Sequence, residues 1–81
     1  MFKNKNNSSN NLCGANVKKY RTTYPTKLSQ RGLSDLLQLE GLDLDKNAVQ
    51  RIESGQRFVT DIELKTLAEV LGVSLEDLLH E

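Results

Sequence analysis

Asp45-Lys46-Asn47-Ala48-Val49-Gln50-Arg51-Ile52-Glu53-Ser54-Gly55 is the stretch on which the reading of this 81-residue chain turns. It opens on a carboxylate suited to accept a backbone N–H at a helix start and closes on a glycine of the kind that ends helices. Ala48, Val49 and Ile52 recur at helical spacing and therefore share one face. Lys46, Asn47, Gln50 and Arg51 fall on the other. The pattern predicts a short helix over 46–54 with an apolar back and a front of amides and cations.

The same start signal recurs on both sides of this stretch. An apolar residue precedes a possible N-cap and another follows five positions later: Leu28/Leu33 around Ser29, Leu44/Val49 around Asp45, Val59/Leu64 around Thr60, and Val73/Leu78 around Ser74. That is the spacing of a hydrophobic staple. Thr60 with Glu63 and Ser74 with Asp77 add an acid at the third helical position, the capping-box arrangement. Leu12/Val17 repeats the spacing around Cys13, a poor cap and so a weaker start. Gly41, Gly55 and Gly72 mark stops, and Pro25 closes the first helix near Tyr24.

Leu64, Leu67, Ala68 and Leu71 form one apolar stripe, and Leu33 and Leu37 another. Nothing alternates in the way of a strand. The expectation is an all-α domain of five short helices around one leucine-rich core, over roughly 14–24, 30–40, 46–54, 61–71 and 75–79. Gly32, inside the second helix, costs about 1 kcal/mol relative to Ala and leaves room for another helix or a nucleic-acid backbone to approach. Residues 12–81 make the single domain, and residues 1–11, nearly devoid of apolar side chains, read as a disordered tail. Lys3 and Lys5 in that tail either touch phosphate or only keep it solvated.

A net charge of zero hides a strong asymmetry. Residues 1–31 carry +7 with no acid, whereas residues 32–81 set four basic side chains against all 11 acids. Such polarisation suits an anionic partner on one face, although a solvated mosaic would look the same on charge alone. A domain this small has little room for a substrate pocket. His80 is the sole histidine and Cys13 the sole cysteine, so no metal-ligand set, catalytic triad or disulfide is spaced in the chain. No enzymatic activity, metal or cofactor is expected. A free thiol, no secretory segment and no apolar run near the roughly 20 residues of a membrane span fit a cytoplasmic protein away from the membrane.

Four segments, in order, carry a resemblance. They are Leu28-Ser29-Gln30, then Ala48-Val49-Gln50-Arg51-Ile52-Glu53-Ser54-Gly55, then Glu63-Leu64-Lys65-Thr66-Leu67-Ala68, and last Leu71-Gly72-Val73-Ser74-Leu75-Glu76-Asp77-Leu78-Leu79. Together they resemble the Cro/repressor-type helix-turn-helix family, also called the xenobiotic-response-element family, over about residues 14–79. The resemblance implies a lambda-repressor-like domain that binds double-stranded DNA, most often as a homodimer, in a small transcriptional regulator. Two helices joined by a tight turn cross steeply, so the second can enter the major groove while the first spans the backbone.

By that resemblance Lys46, Asn47 and Arg51 fall at base-reading positions, and Gln50 projects beside them. Arg and Lys donate to guanine, and Asn or Gln pair with adenine, so the set is chemically suited to base edges. Gln30 falls at a phosphate-anchoring position. Arg31 is taken with it, and Ser54, Gln56 and Arg57 belong to the loop that should flank the groove, with Phe58 and Val59 anchoring that loop. Arg21 and Glu53 match a family ion pair between the first helix and the recognition helix; the alternative for Arg21 is a free phosphate contact.

The chain departs from the commonest family pattern in a longer interval from Gln30 to Val49, with Leu39, Leu42 and Leu44 expected to lengthen helix two and pack the turn. The linker Pro25-Thr26-Lys27 is also longer. Leu36 and Leu39 add apolar surface to helix two, which keeps open a second reading: the same fold as an antitoxin or adaptor whose ligand is protein. Leu75, Leu78 and Leu79 cannot all face the core, and one of them suits a two-fold contact.

Overall fold

A computed structural model of the chain describes residues 9–23 and 26–80. Five helices follow one another, α1 (Gly14–Thr22), α2 (Gln30–Leu39), α3 (Lys46–Glu53), α4 (Asp61–Leu71) and α5 (Leu75–Leu79). Among the described residues there is no strand. The all-α reading therefore holds, with helices ending one or two residues short of the expected limits at α1, α2 and α3. Tyr24 and Pro25, expected to close the first helix, lie outside the described residues, as do residues 1–8 of the expected tail.

Each well-signalled start is capped as its sequence requires. Gly32 N–H donates to Ser29 Oγ at 2.9 Å and Ala48 N–H to Asp45 Oδ1 at 2.8 Å. Both capping boxes close: Glu63 N–H donates to Thr60 Oγ1 and Thr60 N–H to Glu63 Oε1, while Asp77 N–H donates to Ser74 Oγ and Ser74 N–H to Asp77 Oδ2. A helix's first four N–H groups have no partner within it, so each of these bonds removes a local cost and fixes where the helix begins. The C-cap of α4 is Gly72, whose φ of 70° is left-handed and open to glycine at no steric cost.

Val17 from α1, Leu33 and Leu37 from α2, Val49 and Ile52 from α3, Leu67 from α4 and Leu78 from α5 form the fully buried centre, together with Cys13. Leu44 is buried and Leu42 packs at the edge, so two of the three leucines expected to pack the longer interval seal the turn between α2 and α3. The third, Leu39, stays 80% exposed, contrary to expectation. The reason is phase: Leu39 follows the buried Leu37 by two residues, about 200° around the helix, so it points away from the core. Phe58 is likewise 65% exposed and does not anchor its loop; Val59 alone of the two packs against the core. The hydrogen of Gly32 faces Ser29 Oγ and Leu28, not another helix.

Candidate nucleic-acid interface

The start of α3 at Asp45 sets the phase of its side chains. At about 100° per residue, Lys46, Gln50, Asn47 and Arg51 fall within one arc of about 140°, and Ala48, Ile52, Val49 and Glu53 within the opposite one. Burial follows that division: Ala48, Val49 and Ile52 are in the core, and the four polar residues are exposed. The eight-residue helix thus offers solvent a compact set of two cations and two carboxamides.

The pose of α3 is fixed at its end by Glu53. Arg21, from α1, donates from Nε to Glu53 Oε2 at 2.6 Å and from Nη2 to Glu53 Oε1 at 2.9 Å. Its remaining terminal nitrogen donates to the Leu28 carbonyl at 2.8 Å. Only 9% of the Arg21 side chain and 4% of the Glu53 side chain are exposed, so Arg21 is a buried partner of Glu53. Gln30, the first residue of α2, donates from Nε2 to Glu53 Oε1 at 3.1 Å. One carboxylate therefore ties α1, α2 and α3 together, and the amide expected at a phosphate has one of its donors committed inside the protein.

Arg31 is exposed at the first turn of α2. Ser54 follows α3, its hydroxyl turned back onto the Arg51 carbonyl at 3.2 Å, and Gln56 is exposed beyond Gly55. Arg57, expected in the loop that flanks the groove, is paired within the protein. Its Nη1 and Nη2 donate to Glu63 Oε1 at 2.8 Å and Oε2 at 3.1 Å, and Nη1 also donates to the Phe58 carbonyl. The hydrogen bond to Glu63 raises the guanidinium pKa above its ordinary value, and that from Arg57 lowers the Glu63 carboxyl below the usual carboxylate range. Glu63 serves both the capping box and this pair, so Arg57 braces its own loop.

Two residues placed in the tail by sequence hydrogen-bond to the end of α3 and the loop after it. Asn11 accepts from Gly14 N–H through Oδ1 at 2.7 Å, supplying the acceptor that Cys13 lacks at the start of α1. Asn10 N–H donates to the Gly55 carbonyl at 2.8 Å, and its Nδ2 to the Gln56 carbonyl at 2.9 Å. The asparagine pair just before a weakly capped helix was the available signal. Residues 10 and 11, at the end of the expected tail, are thus hydrogen-bonded to the rest of the domain.

A core of five capped helices, with α3 held across α2 and its polar side outward, defines a helix-turn-helix domain. The chain belongs to the helix-turn-helix family, whose model matches residues 17–78. The crystal structure of the restriction-modification controller protein C.AhdI from Aeromonas hydrophila is similar, with a TM-score of 0.65 at 32% identity, over 80% of this chain and 84% of that one. The DNA-binding domain of BldD is similar with a TM-score of 0.67 at 28% identity, over 86% of this chain and 92% of that one. No curated protein sequence matches the chain significantly.

Proposed function

We propose that the chain is a small, cytoplasmic transcriptional regulator, a repressor without enzymatic activity, that binds specific double-stranded DNA with α3 in the major groove. One observation carries this reading: the solvent face of α3 holds Lys46, Asn47, Gln50 and Arg51 together, opposite a face sealed in the core. Those four side chains supply donors for guanine and donor–acceptor pairs for adenine. The likeness to a restriction-modification controller protein and to a DNA-binding domain supports the same reading.

Phosphate contacts fall to Arg31, Ser54 and Gln56, which are exposed around α3, and to the uncommitted donor of Gln30. Arg57 takes a smaller part, because Glu63 neutralises much of its charge locally. A single module of this size covers little DNA, so a homodimer on two half-sites is the working form. Leu75 and Leu79, exposed on α5 while Leu78 is buried, suit a contact between copies.

Selection of bound sequences from a random DNA pool tests binding, motif and half-site spacing at once. Enrichment of a two-fold repeat, with affinity falling steeply as salt rises, is expected. A second reading, the fold as an antitoxin or adaptor that binds protein, is favoured by Leu39, whose side chain lies 80% exposed. Failure of the protein to bind any DNA at low salt would establish that alternative instead.

A further inference from the structure

Asn11 spends its whole side-chain amide on backbone groups from three parts of the fold. Besides accepting from Gly14, it donates from Nδ2 to the Ile52 carbonyl at 3.1 Å and to the Arg57 carbonyl at 2.7 Å. A carboxamide nitrogen has two hydrogens, and both are used here across more than forty residues of sequence. The two bonds from Asn10 end on Gly55 and Gln56, so residues 10 and 11 together hold the last turn of α3 and the loop behind it.

Two close approaches make room for this strap. A Cβ at Gly14 would collide with the Ile52 carbonyl oxygen, and a Cβ at Gly55 would collide with Ser9 Oγ. Gly55 also has a φ of 80°, so its lack of a side chain serves both its own turn and the segment lying on it. Capping α1 needs only the Asn11 oxygen. The two donor bonds do something else: Ile52 contributes one of the terminal carbonyls that α3 cannot satisfy by itself, and Arg57 lies in the loop proposed to flank the groove.

We propose that Asn11 is a positioning residue for DNA reading, clamping the C-terminal end of α3 and the 54–57 loop into one pose relative to each other. The inference rests on the functional reading above. Base-edge contacts need side chains held to within about 0.5 Å, and an eight-residue helix has few internal bonds to hold its own end. Glu53 fixes that end to α1 and α2, and Asn11 fixes it to the loop. Sequence preference depends on the second restraint.

Asn11→Asp separates the two roles. The carboxylate has the same shape and still accepts from Gly14 N–H at the start of α1, but it turns both donors into acceptors that face carbonyl oxygens. Binding of wild type and variant to the selected site and to a scrambled duplex, well below the melting temperature, gives a preference ratio from which the added negative charge cancels. Hydrogen exchange of the free proteins follows the Gly55 and Arg57 amides, which donate to Ile52 and Arg51. The expected result is a preference ratio lower by about tenfold, or about 1.4 kcal/mol, with faster exchange at those two amides and unchanged protection in α2 and α4.

A ratio within about twofold of wild type overturns the proposal, even if the loop amides exchange faster, because the clamp would then be structural only. Unchanged loop exchange overturns it as well. In both cases the wild type still selects its site and the functional reading stands. A wild type that binds no DNA removes that reading and this inference together. Asn11→Ala, which loses the cap too, is expected to match Asn11→Asp in preference while melting lower.

Discussion

Arg21 and Glu53, 32 residues apart, meet as a two-bonded ion pair between α1 and the end of α3, with both side chains almost wholly buried. Glu53→Ala leaves the guanidinium in that junction with the Leu28 carbonyl as its remaining bonded partner. The variant is expected to lose about 2–4 kcal/mol of stability, since a buried charge stripped of its partner costs more than the pair contributes. Urea denaturation measures this, and a midpoint equal to wild type would contradict it. Glu53→Gln should fall between the two, because it keeps the acceptor oxygen and loses the charge.

Arg57 and Glu63 allow a related test on the other side of the loop. A phosphate contact contributes about 0.9 to the slope of log affinity against log salt. With its guanidinium on Glu63, Arg57→Ala is expected to reduce that slope by less than half as much, while lowering stability by about 1 kcal/mol. A fall in slope near the full value would mean that DNA draws Arg57 away from Glu63.

The same pair gives a pH dependence of definite sign. Arg57 holds the Glu63 carboxyl below its unfolded value, which is about 4.3 for an ordinary Glu. A depressed folded pKa stabilises the fold fully above the unfolded pKa and loses that contribution as pH falls through the folded one. Glu63→Gln, which preserves the shape of the cap, should therefore flatten the stability curve below about pH 4.5. Thermal melts of both proteins across that range decide it; parallel curves would assign acid sensitivity to other carboxylates.

Arg51 is expected to behave as a reader of sequence. Arg51→Ala should cost about 1–3 kcal/mol on the selected site and relax preference at one base pair, with little loss on scrambled DNA. Equal losses on both duplexes would mean that α3 is turned so that Arg51 meets phosphate.

Cys13 lies in the core, and burial pushes its thiol up to about 11. A thiol in that state is almost entirely protonated at about pH 8 and shielded besides. Labelling by a disulfide reagent should proceed no faster than the domain opens, and addition of denaturant should make it immediate. Prompt stoichiometric labelling of the native protein would show that the start of α1 is open.

Gly14→Ala sets helix propensity against a tertiary contact. Alanine favours a helix over glycine by about 1 kcal/mol, yet its Cβ would meet the Ile52 carbonyl oxygen. The variant is expected to be less stable than wild type by calorimetry; a gain would mean that α1 and α3 can move apart freely.

What the sequence determined by itself is the set of helices and the polarity of α3. Ser29, Asp45, Thr60 and Ser74 each cap an amide three residues ahead, and Gly41, Gly55 and Gly72 each take a positive φ. These are local relations, complete within a few residues, so spacing alone expresses them. The apolar phase of Val49 and Ile52 then leaves Lys46, Asn47, Gln50 and Arg51 facing outward. The Arg21–Glu53 pairing was legible only through family resemblance, because nothing in the spacing of two charges 32 residues apart makes them partners.

Tertiary structure alone decided what the remaining polar groups do. Asn10 and Asn11 sit in a stretch that reads as tail, and their partners lie 45 to 46 and 41 to 46 residues away. Arg57 reads as a loop residue beside the groove until the fold brings Glu63 onto it, and Leu39 and Phe58 read as packing the turn and anchoring the loop, although both side chains lie exposed. A helix cap is satisfied wherever its helix forms. A long-range hydrogen bond exists only once packing has brought its donor and acceptor together, and a core of this size accepts only the side chains whose helical phase reaches it.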